Sequence, residues 1–464
     1  MSETMQLPEL AEVPPSGGDE AISAVEVAAI GQAIAERDAD RLKTLVSPLD
    51  DPGMADLIGL LPAESRVAFV ELLGRDFRPE VFSELEWGVK EQIVEDLPNA
   101  TIAEAVQQLD TDDAVYLIED LEQADQDEIL ARLPADERAT IERSLDFPEE
   151  SAGRLMQADV IAVPPFWTVG QVIDHMRETE DLPDDFAEIY VVDPAHHLLG
   201  IIQLDRLLRT KRPVLVRDIM DEDPQAIRVT EDQEVVARTF ERHNLMAAPV
   251  VDPDGRLVGV VTADDIMEVV QDEAEEDIYR LAGVGDESMS DTVWSTLRSR
   301  FPWLFINLGT ALLASSVISL FSAKIAEMVA LAVLMPIVAS MGGNAGTQTM
   351  TVTVRALATR ELTPLNVFRV VLREASVGLF NGLIFALLVG SAALLWFGPG
   401  QLGLVIGAAM VINLTAAALG GILVPLLLDR LGLDPAVSSS VFVTMVTDVV
   451  GFFAFLGLAV LVIT

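Results

Sequence analysis

From Trp303 to its C-terminus the chain is a succession of charge-poor apolar stretches, each long enough to cross a bilayer. Inside a bilayer every backbone N–H and C=O must be paired within the protein, and stretches of this length satisfy that as helices. No other feature restricts the fold as strongly. The first stretch is Trp303–Phe321, and the second runs from Met328 to Gln348. After Glu374 no charge recurs until Asp429, and Phe397-Gly398-Pro399-Gly400 is a turn signal inside that interval. The interval therefore reads as two spans, Ala375–Phe397 and Leu402–Leu428, followed by a fifth at Ser439–Val462. Five spans, an odd number, place the termini on opposite sides of the membrane.

The charge is partitioned as sharply as the hydropathy. Residues 296–464 carry 8 basic and 6 acidic residues, a net of +2, whereas residues 1–295 hold 22 basic and 68 acidic residues, a net of −46. That excess argues against a nucleic-acid partner, which needs basic surface to meet phosphates. The absence of Cys excludes disulfides, thiolate metal sites and Cys nucleophiles. The four His (His175, His196, His197 and His243) all lie in the acidic part, and His196-His197 falls in a turn where it reads as solvated. No motif assembles a nucleophile, a base and an oxyanion donor, so the chain reads as no enzyme. Met1–Glu20 has no apolar core and reads as a disordered tail rather than a signal peptide. Arg298, Arg300, Arg355, Arg360, Arg369, Arg373 and Arg430 fall on one side of the five spans, and the opposite loops hold only Lys324. Positive charge marks the cytosolic side. The expectation is a multi-pass protein of the cell membrane with cytosolic N-terminal domains and an external C-terminus.

Asp448 is the one charge inside the fifth span. A carboxylate at the centre of a membrane helix costs about 2.5–3.5 kcal/mol on insertion scales, so it needs a partner or water. No basic residue in the spans can pair with it, and five helices seldom enclose a pore. A two-fold homodimer would bring two Asp448 side chains to one axis, and two facing carboxylates suit a divalent cation. With neither Cys nor His in these spans, oxygen ligands favour Mg²⁺ or Ca²⁺. A sparse pair of carboxylates suits hydrated Mg²⁺, which sheds its waters reluctantly. The second span ends in Gly342-Gly343-Asn344-Ala345-Gly346-Thr347-Gln348. Two readings stay open there: carbonyls exposed to a cavity, or close helix packing through the Gly342/Gly346 pair. Gly378 and Gly382 in the third span read as packing. Gly343, Asn344 and Thr444 join Asp448 as candidates for the ion path.

In the acidic part, Val191-Val192-Asp193-Pro194 with Leu198, Gly200, Asp205 and Leu207 recurs 59 residues later as Val250-Val251-Asp252-Pro253 with Leu257, Gly259, Asp264 and Ile266. Each copy reads strand, turn, strand, helix, opened by Leu155-Met156 and by Ile219-Met220. This resembles a tandem pair of α/β CBS domains, at 151–214 and 215–270. In such pairs a Ser/Thr-x-x-Asp element can hold a nucleotide ribose. The second copy has it as Thr262 and Asp265, and the first has Gln203 and Arg206 instead. That allows one ATP site per chain, although a helix cap by Thr262 explains the same residues. Residues 21–150 read as short amphipathic helices, among them Leu57–Leu61, Arg66–Leu73, Glu91–Leu97, Ile102–Leu109 and Ala114–Leu121, wound into a superhelix. Between the repeat and the first span, 264–298 reads as an acidic linking helix. Asp265, Glu268, Asp272, Glu275 and Glu276 share one of its faces. Like charges at that spacing repel, so divalent cations are the expected counter-charge.

Three stretches then carry a family resemblance. They are Phe147-Pro-Glu-Glu-Ser-Ala-Gly-Arg-Leu-Met156, Met341-Gly-Gly-Asn-Ala-Gly-Thr-Gln348 with Arg355-Ala-Leu-Ala-Thr-Arg360, and Thr447-Asp448-Val-Val-Gly451. With the order of helical N-domain, CBS pair, acidic helix and five spans (299–464), the chain resembles the MgtE-type magnesium channels and transporters of bacteria. The resemblance implies a homodimer that passes Mg²⁺ down its gradient through a pore on the two-fold axis, past Asp448. It makes the acidic helix a plug, closed when cytosolic Mg²⁺ is high. Its implied gating ligands are Asp264, Asp265, Asp272, Glu275 and Glu276, with Asp112 and Asp113 on the N-domain. The N-domain pattern departs at Tyr116, where an acidic residue is expected. The same fold could move another divalent ion or work in export. A reading of a different class is a membrane-anchored adenylate sensor, which would have no reason to bury Asp448.

Overall fold

The computed structural model describes residues 22–463 other than 180–181, 184–185, 285–292, 399 and 437–438. The tail expected at residues 1–20 lies outside them. The chain divides into two compact units at Val270/Gln271.

The first unit opens with nine short helices: α1 (Ala24–Glu36), α2 (Ala39–Val46), α3 (Asp51–Leu60), α4 (Ala63–Leu73), α5 (Trp87–Asp96), α6 (Asn99–Val106), α7 (Thr111–Ile118), α8 (Gln123–Leu130) and α9 (Ala135–Leu145). Their starts follow a period that the amphipathic reading did not resolve. Leu61, Leu73, Leu85, Leu97, Leu109, Leu121, Leu133 and Leu145 recur every twelve residues. Leu61, Leu73, Leu85, Leu97 and Leu133 are buried in one continuous core, against which the other three pack. The breaks follow from residue chemistry. Pro62, Pro98 and Pro134 stand just before α4, α6 and α9, where a proline ends one helix and costs the next nothing. Asp38 and Asp50 accept from N–H groups in the first turns of α2 and α3. One leucine-led turn of helix per dozen residues therefore builds the superhelix.

A short helix, α10 (Ala152–Leu155), leads into the repeats. Arg154 explains part of the motif around it. Its guanidinium donates to the carbonyls of Leu145 (2.8 Å) and Phe147 (3.0 Å) and pairs with Glu119 at 2.9 Å, clipping the end of α9 to the chain that follows. The first repeat is β1 (Ala162–Val163), α11 (Val169–Glu178), β2 (Glu188–Val192), β3 (Leu198–Gln203) and α12 (Leu204–Arg209). The second is β4 (Ile227–Arg228), α13 (Gln233–His243), β5 (Ala247–Val251), β6 (Leu257–Thr262) and α14 (Ala263–Ala282), the last of which runs on past Val270. Each forms a three-stranded sheet with its first two strands parallel and its last two antiparallel, and the register slips at the same place, after Val191 and after Val250. The segments that open the copies are exchanged. Ala152 and Met156 are buried in the core of the second copy with Ile227, Val236 and Val261. Ile219 is buried in the core of the first copy with Val169, Val191 and Leu207.

The second unit contains α15 (Val293–Ser319), a short α16 (Ser322–Glu327), α17 (Val329–Ala358), α18 (Val367–Phe397), α19 (Leu402–Arg430) and α20 (Ser439–Val462). Five of these are long and apolar enough to span a membrane. α19 is the most enclosed: Val405, Ile406, Ala409, Met410 and Leu414 are buried against Leu331, Leu334 and Val338 of α17 and Phe455, Leu456 and Ala459 of α20. The α18–α19 contact is close because Gly378 and Gly382 present no Cβ to Ala418, Leu414 and Val411, which is the packing role expected of them. Leu387 and Leu395 of α18, and Phe305 and Leu312 of α15, are exposed on the protein surface.

Two expectations change. The second span does not end at Gln348, because α17 continues unbroken to Ala358. Gly342 and Gly346 do not open the helix: Asn413 lies beside the first, and Val443 and Thr447 beside the second. The packing reading of this glycine pair is the one observed. The acidic helix does not reach residue 298. α14 stops at Ala282, where Gly283 turns with φ +71, and residues 293–298 begin α15.

Candidate ion path and gating carboxylates

In the membrane unit, α20 carries Thr444 and Asp448 one turn apart on one face, Thr444 exposed and Asp448 half-buried. The buried Thr447 beside them turns its hydroxyl inward onto the Thr444 carbonyl at 2.9 Å, so it is not an outward ligand. On α17, Met341, Asn344, Thr347, Gln348, Thr351 and Val352 line an open groove at helical spacing. Four of these six carry amides or hydroxyls in an otherwise apolar unit. Gly343 is half-buried with nothing close to its Cβ position, and Asn344 is exposed. Among the described residues no three Asp, Glu or His side chains converge closely enough to wrap a metal ion. A sparse carboxylate with amide and hydroxyl neighbours can contact an ion that keeps its waters.

Asn413 was missed by the sequence reading. It is fully buried on α19, its Nδ2 donates to the Val338 carbonyl of α17 at 2.7 Å, and its Oδ1 has no partner. Gly342 of α17 and Gly451 of α20 leave the room for this amide, since a Cβ on either would collide with it. Asn413 thus joins α19 to α17 by a hydrogen bond and packs against α20, the helix that carries Asp448. The signal was a lone amide in a charge-free span, which only its neighbours turn into a junction.

In the soluble unit the start of α14 meets α7. Asp112 and Asp113 sit in the first turn of α7, and Asp264 and Asp265 in the first turn of α14. The structure brings Asp112, Asp113 and Asp265 together. Burial holds the Asp112 carboxyl well above its usual range, and the charges of Asp265 and Asp113 add to the rise. Asp113 is pushed up to about 6, by burial and by the charges of Asp265, Asp110 and Glu80. Asp265 is raised by burial, with Asp264 adding to it. One oxygen of Asp112 is buried without a hydrogen-bond partner. Helix N-termini favour these anions, while burial and mutual repulsion favour their protonated forms.

The remaining candidates sit apart. Asp264 is exposed, as are Asp272 and Glu275 further along α14, while Glu276 is half-buried and pairs with Arg280. Asp265 also serves the element proposed for a nucleotide. Both the N–H and the hydroxyl of Thr262 donate to its Oδ2, which is the geometry of a helix cap. A ribose would have to displace that contact. Tyr116 lies over the buried Lys90, whose ammonium is 3.2 Å from the ring centre and donates to the Tyr116 carbonyl at 2.8 Å. A lysine and a tyrosine fill this place on the N-domain.

Comparison with known proteins accords with this layout. Residues 335–458 match the family model described as a divalent cation transporter, MgtE. Residues 49–150 match the MgtE intracellular N domain, and 152–212 and 216–272 each match a CBS domain. The magnesium transporter MgtE of Enterococcus faecalis is 34% identical over 325 residues, covering 70% of this chain and 72% of the relative. That of Thermus thermophilus is 36% identical over 329 residues, 69% of this chain and 72% of the relative. That of Bacillus subtilis is 28% identical over 418 residues, 90% and 93% of the two chains. Among solved structures, the cytosolic domain of the Mg²⁺ channel MgtE in complex with ATP is 28% identical, with a TM-score of 0.48, and covers 52% of this chain and 99% of its own. With a helical N-domain, two CBS domains and five membrane helices in the family's order, and with two relatives above 30% identity along more than two thirds of their length, the chain belongs to the MgtE family of magnesium transporters.

Proposed function

We propose that the protein is a homodimeric Mg²⁺ uptake channel of the cell membrane, closed by cytosolic Mg²⁺ binding to its acidic domains. The observation that carries this reading is Asp448, a carboxylate on a membrane helix with Thr444 on the same face and the amide- and hydroxyl-lined groove of α17 in the same unit. Two copies meeting around a two-fold axis would oppose their Asp448 side chains. A hydrated Mg²⁺ between them would replace the water each carboxylate otherwise needs. The seven arginines on one side support cytosolic acidic domains and an external C-terminus. There, Mg²⁺ at Asp112, Asp113 and Asp265, and along Asp264, Asp272, Glu275 and Glu276, offsets the repulsion that otherwise holds the closed arrangement apart.

Mg²⁺ flux into proteoliposomes, read with an indicator dye, tests the pore. Wild type should conduct and Asp448→Asn should not, and normal flux through the Asn variant sinks the assignment. The family model's broader description, divalent cation transporter, favours a second reading in which other ions pass. Competition by Mn²⁺, Co²⁺ and Ca²⁺ in the same assay separates the two, and the sign of a flux driven by an opposite gradient separates uptake from export. ATP, which the cytosolic domain of one MgtE channel binds, fits the same regulation if its ribose takes Asp265 from Thr262. Calorimetry on the full chain should then show about one ATP site per chain, lost in Asp265→Ala. Absence of heat at millimolar ATP leaves Thr262 and Asp265 as a cap.

A further inference from the structure

α18 is longer than the hydrocarbon layer of a bilayer, and two arginines stand on its overhanging end. The helix has 31 residues, about 46 Å at 1.5 Å per residue, against a hydrocarbon thickness of about 30 Å. Trp396 and Phe397 stack at its C-terminal end with ring centres 5.7 Å apart, and Trp396 is exposed. Amphipathic aromatic rings such as Trp396 sit at the membrane–water boundary. Twenty residues back from Trp396, about 30 Å along the axis, stands Ser376. Arg373 and Arg369 lie about 5 and 10 Å further out, across the head-group layer. Both are exposed. Among the described residues no ion pair includes Arg369, in a chain with 74 acidic residues. Arg373 gives Nε and one terminal nitrogen to a single Glu374 oxygen, at 3.0 and 2.8 Å, and keeps its other terminal nitrogen for an outside ligand. Positive charge at the start of a helix opposes the macrodipole, so Arg369 does not serve α18 itself. The loop before it is fixed: Asn366 accepts from the Thr363 N–H at 2.8 Å and donates to the Glu361 carbonyl at 2.7 Å.

We propose that this face of α18 binds an anionic phospholipid, with Arg369 and Arg373 on its phosphodiester head group and its acyl chains along Phe380, Ile384 and Leu387. Helical spacing supports the match. Gly378 and Gly382, which pack on α19, fall five and nine residues after Arg373 and so lie on the far side of the helix. Phe380, Ile384 and Leu387 follow Arg373 at seven, eleven and fourteen residues, on its own side, and all three are exposed. A cationic end thus continues into an apolar stripe, the shape of a lipid whose head group is negative. Guanidinium matches phosphate in charge and in fork geometry. Free phosphate would use the arginines and leave the stripe bare. A zwitterionic lipid would bring its own ammonium against two guanidinium groups.

The full chain in vesicles tests this without any measurement of flux. The chain has no Cys, so Val377→Cys, exposed one turn inside Arg373, carries a single fluorophore. Vesicles mix phosphatidylcholine with phosphatidylglycerol, one of the two brominated on its acyl chains so that contact quenches the label. Phosphatidylglycerol should be favoured at this surface roughly five- to tenfold, since a basic side chain near an anionic membrane surface contributes about fivefold. Arg369→Gln with Arg373→Gln should bring the preference below about twofold, with each single variant in between. The same label at Leu394→Cys, exposed near the opposite boundary, should show a preference below about twofold in the otherwise unchanged chain. A preference that survives the double substitution, or one equal at the two ends of α18, overturns the proposal. So does a Val377→Cys label that neither lipid quenches, the result expected if a second copy of the chain covers this face. Should the double variant fail to fold, the single variants decide, because a preference unchanged in both of them refutes the site.

Discussion

The two units treat a carboxylate in opposite ways. Residues 1–295 hold 68 acidic residues, while the apolar stretches of the membrane unit keep one, Asp448, inside their fifth helix. In water each charge is screened within about 8–10 Å, so a single acidic residue changes little and only the collective excess has consequences. In the membrane interior screening is absent, and one carboxylate dominates its surroundings. That is why the proposed ion path is centred on Asp448. The acidic excess, three of whose members, Asp112, Asp113 and Asp265, interact electrostatically where α7 meets α14, is the part to which a graded response is proposed. On the proposed function the two chemistries are complementary: the site at Asp448 would release its ion quickly, and the acidic domains would integrate many weak bindings into one equilibrium.

The largest effect should come from the membrane side of this contrast. Asp448→Asn keeps the size of the side chain and removes its charge, and Mg²⁺ flux should fall by about 100-fold or more with the elution volume on size-exclusion chromatography unchanged. The soluble side should break only collectively. Replacing Asp272 by Asn, and Glu275 and Glu276 by Gln, should shift the Mg²⁺ dependence of closure by roughly tenfold. Full inversion of such an equilibrium takes about 5.5 kcal/mol, of which these residues supply a part. Protease protection of the soluble domains, titrated from micromolar to ten-millimolar Mg²⁺ in the wild type, gives the same information without flux. A protection pattern unchanged over that range would leave the acidic face merely solvated.

Two smaller effects probe packing on each side. Gly342 and Gly343 are neighbours, yet a Cβ at 342 would strike the Asn413 amide and one at 343 would meet nothing within 4 Å. Gly342→Ala should thus cost about 1–3 kcal/mol of stability in detergent, with Gly343→Ala nearly silent. Equal thermal midpoints for the two variants would contradict the Asn413 junction. On the soluble side, Glu188 at the start of β2 is buried, one of its oxygens has no partner, and burial followed by the Asp221 charge pushes its carboxyl up to about 7. The folded state holds this proton more tightly than the unfolded chain, whose value is 4.5. The contribution is complete below pH 4.5 and is lost as pH rises through about 7, up to roughly 3 kcal/mol. Glu188→Gln should flatten the fall in urea stability between pH 5 and pH 8. A slope identical to wild type would mean that Glu188 is ionised in the folded protein.

Much of this architecture is legible without coordinates. Membrane spans declare themselves because an unpaired charge in lipid is costly, so its absence over 20 or so residues is informative. The repeat of 59 residues shows because both copies need the same strand, turn and helix chemistry, down to a shared slip in register. The twelve-residue leucine period was just as visible in principle. Helical spacing within each segment masks it, because the shorter amphipathic period dominates any window of a dozen residues. The end of α14 was misplaced for a different reason. Its acidic pattern runs on toward residue 292, and only the left-handed turn at Gly283 marks the stop.

Other features could not be read from the chain at all, because they depend on which distant residues meet. The exchange of lead-in segments places Met156 in the core of the copy it does not open, and both copies are apolar enough to accept either. Asn413 is an ordinary amide until Gly342 and Gly451, 71 residues before it and 38 after, leave room for it. The Arg280–Asp434 pair joins residues 154 apart. Sequence alone determined what the chain must avoid, charge in lipid and crowding of like charge in water, since those penalties attach to residue types wherever they fall. Tertiary structure decided which few polar groups find one another, because a hydrogen bond or an ion pair is set by distance and direction, and neither is written in composition or spacing.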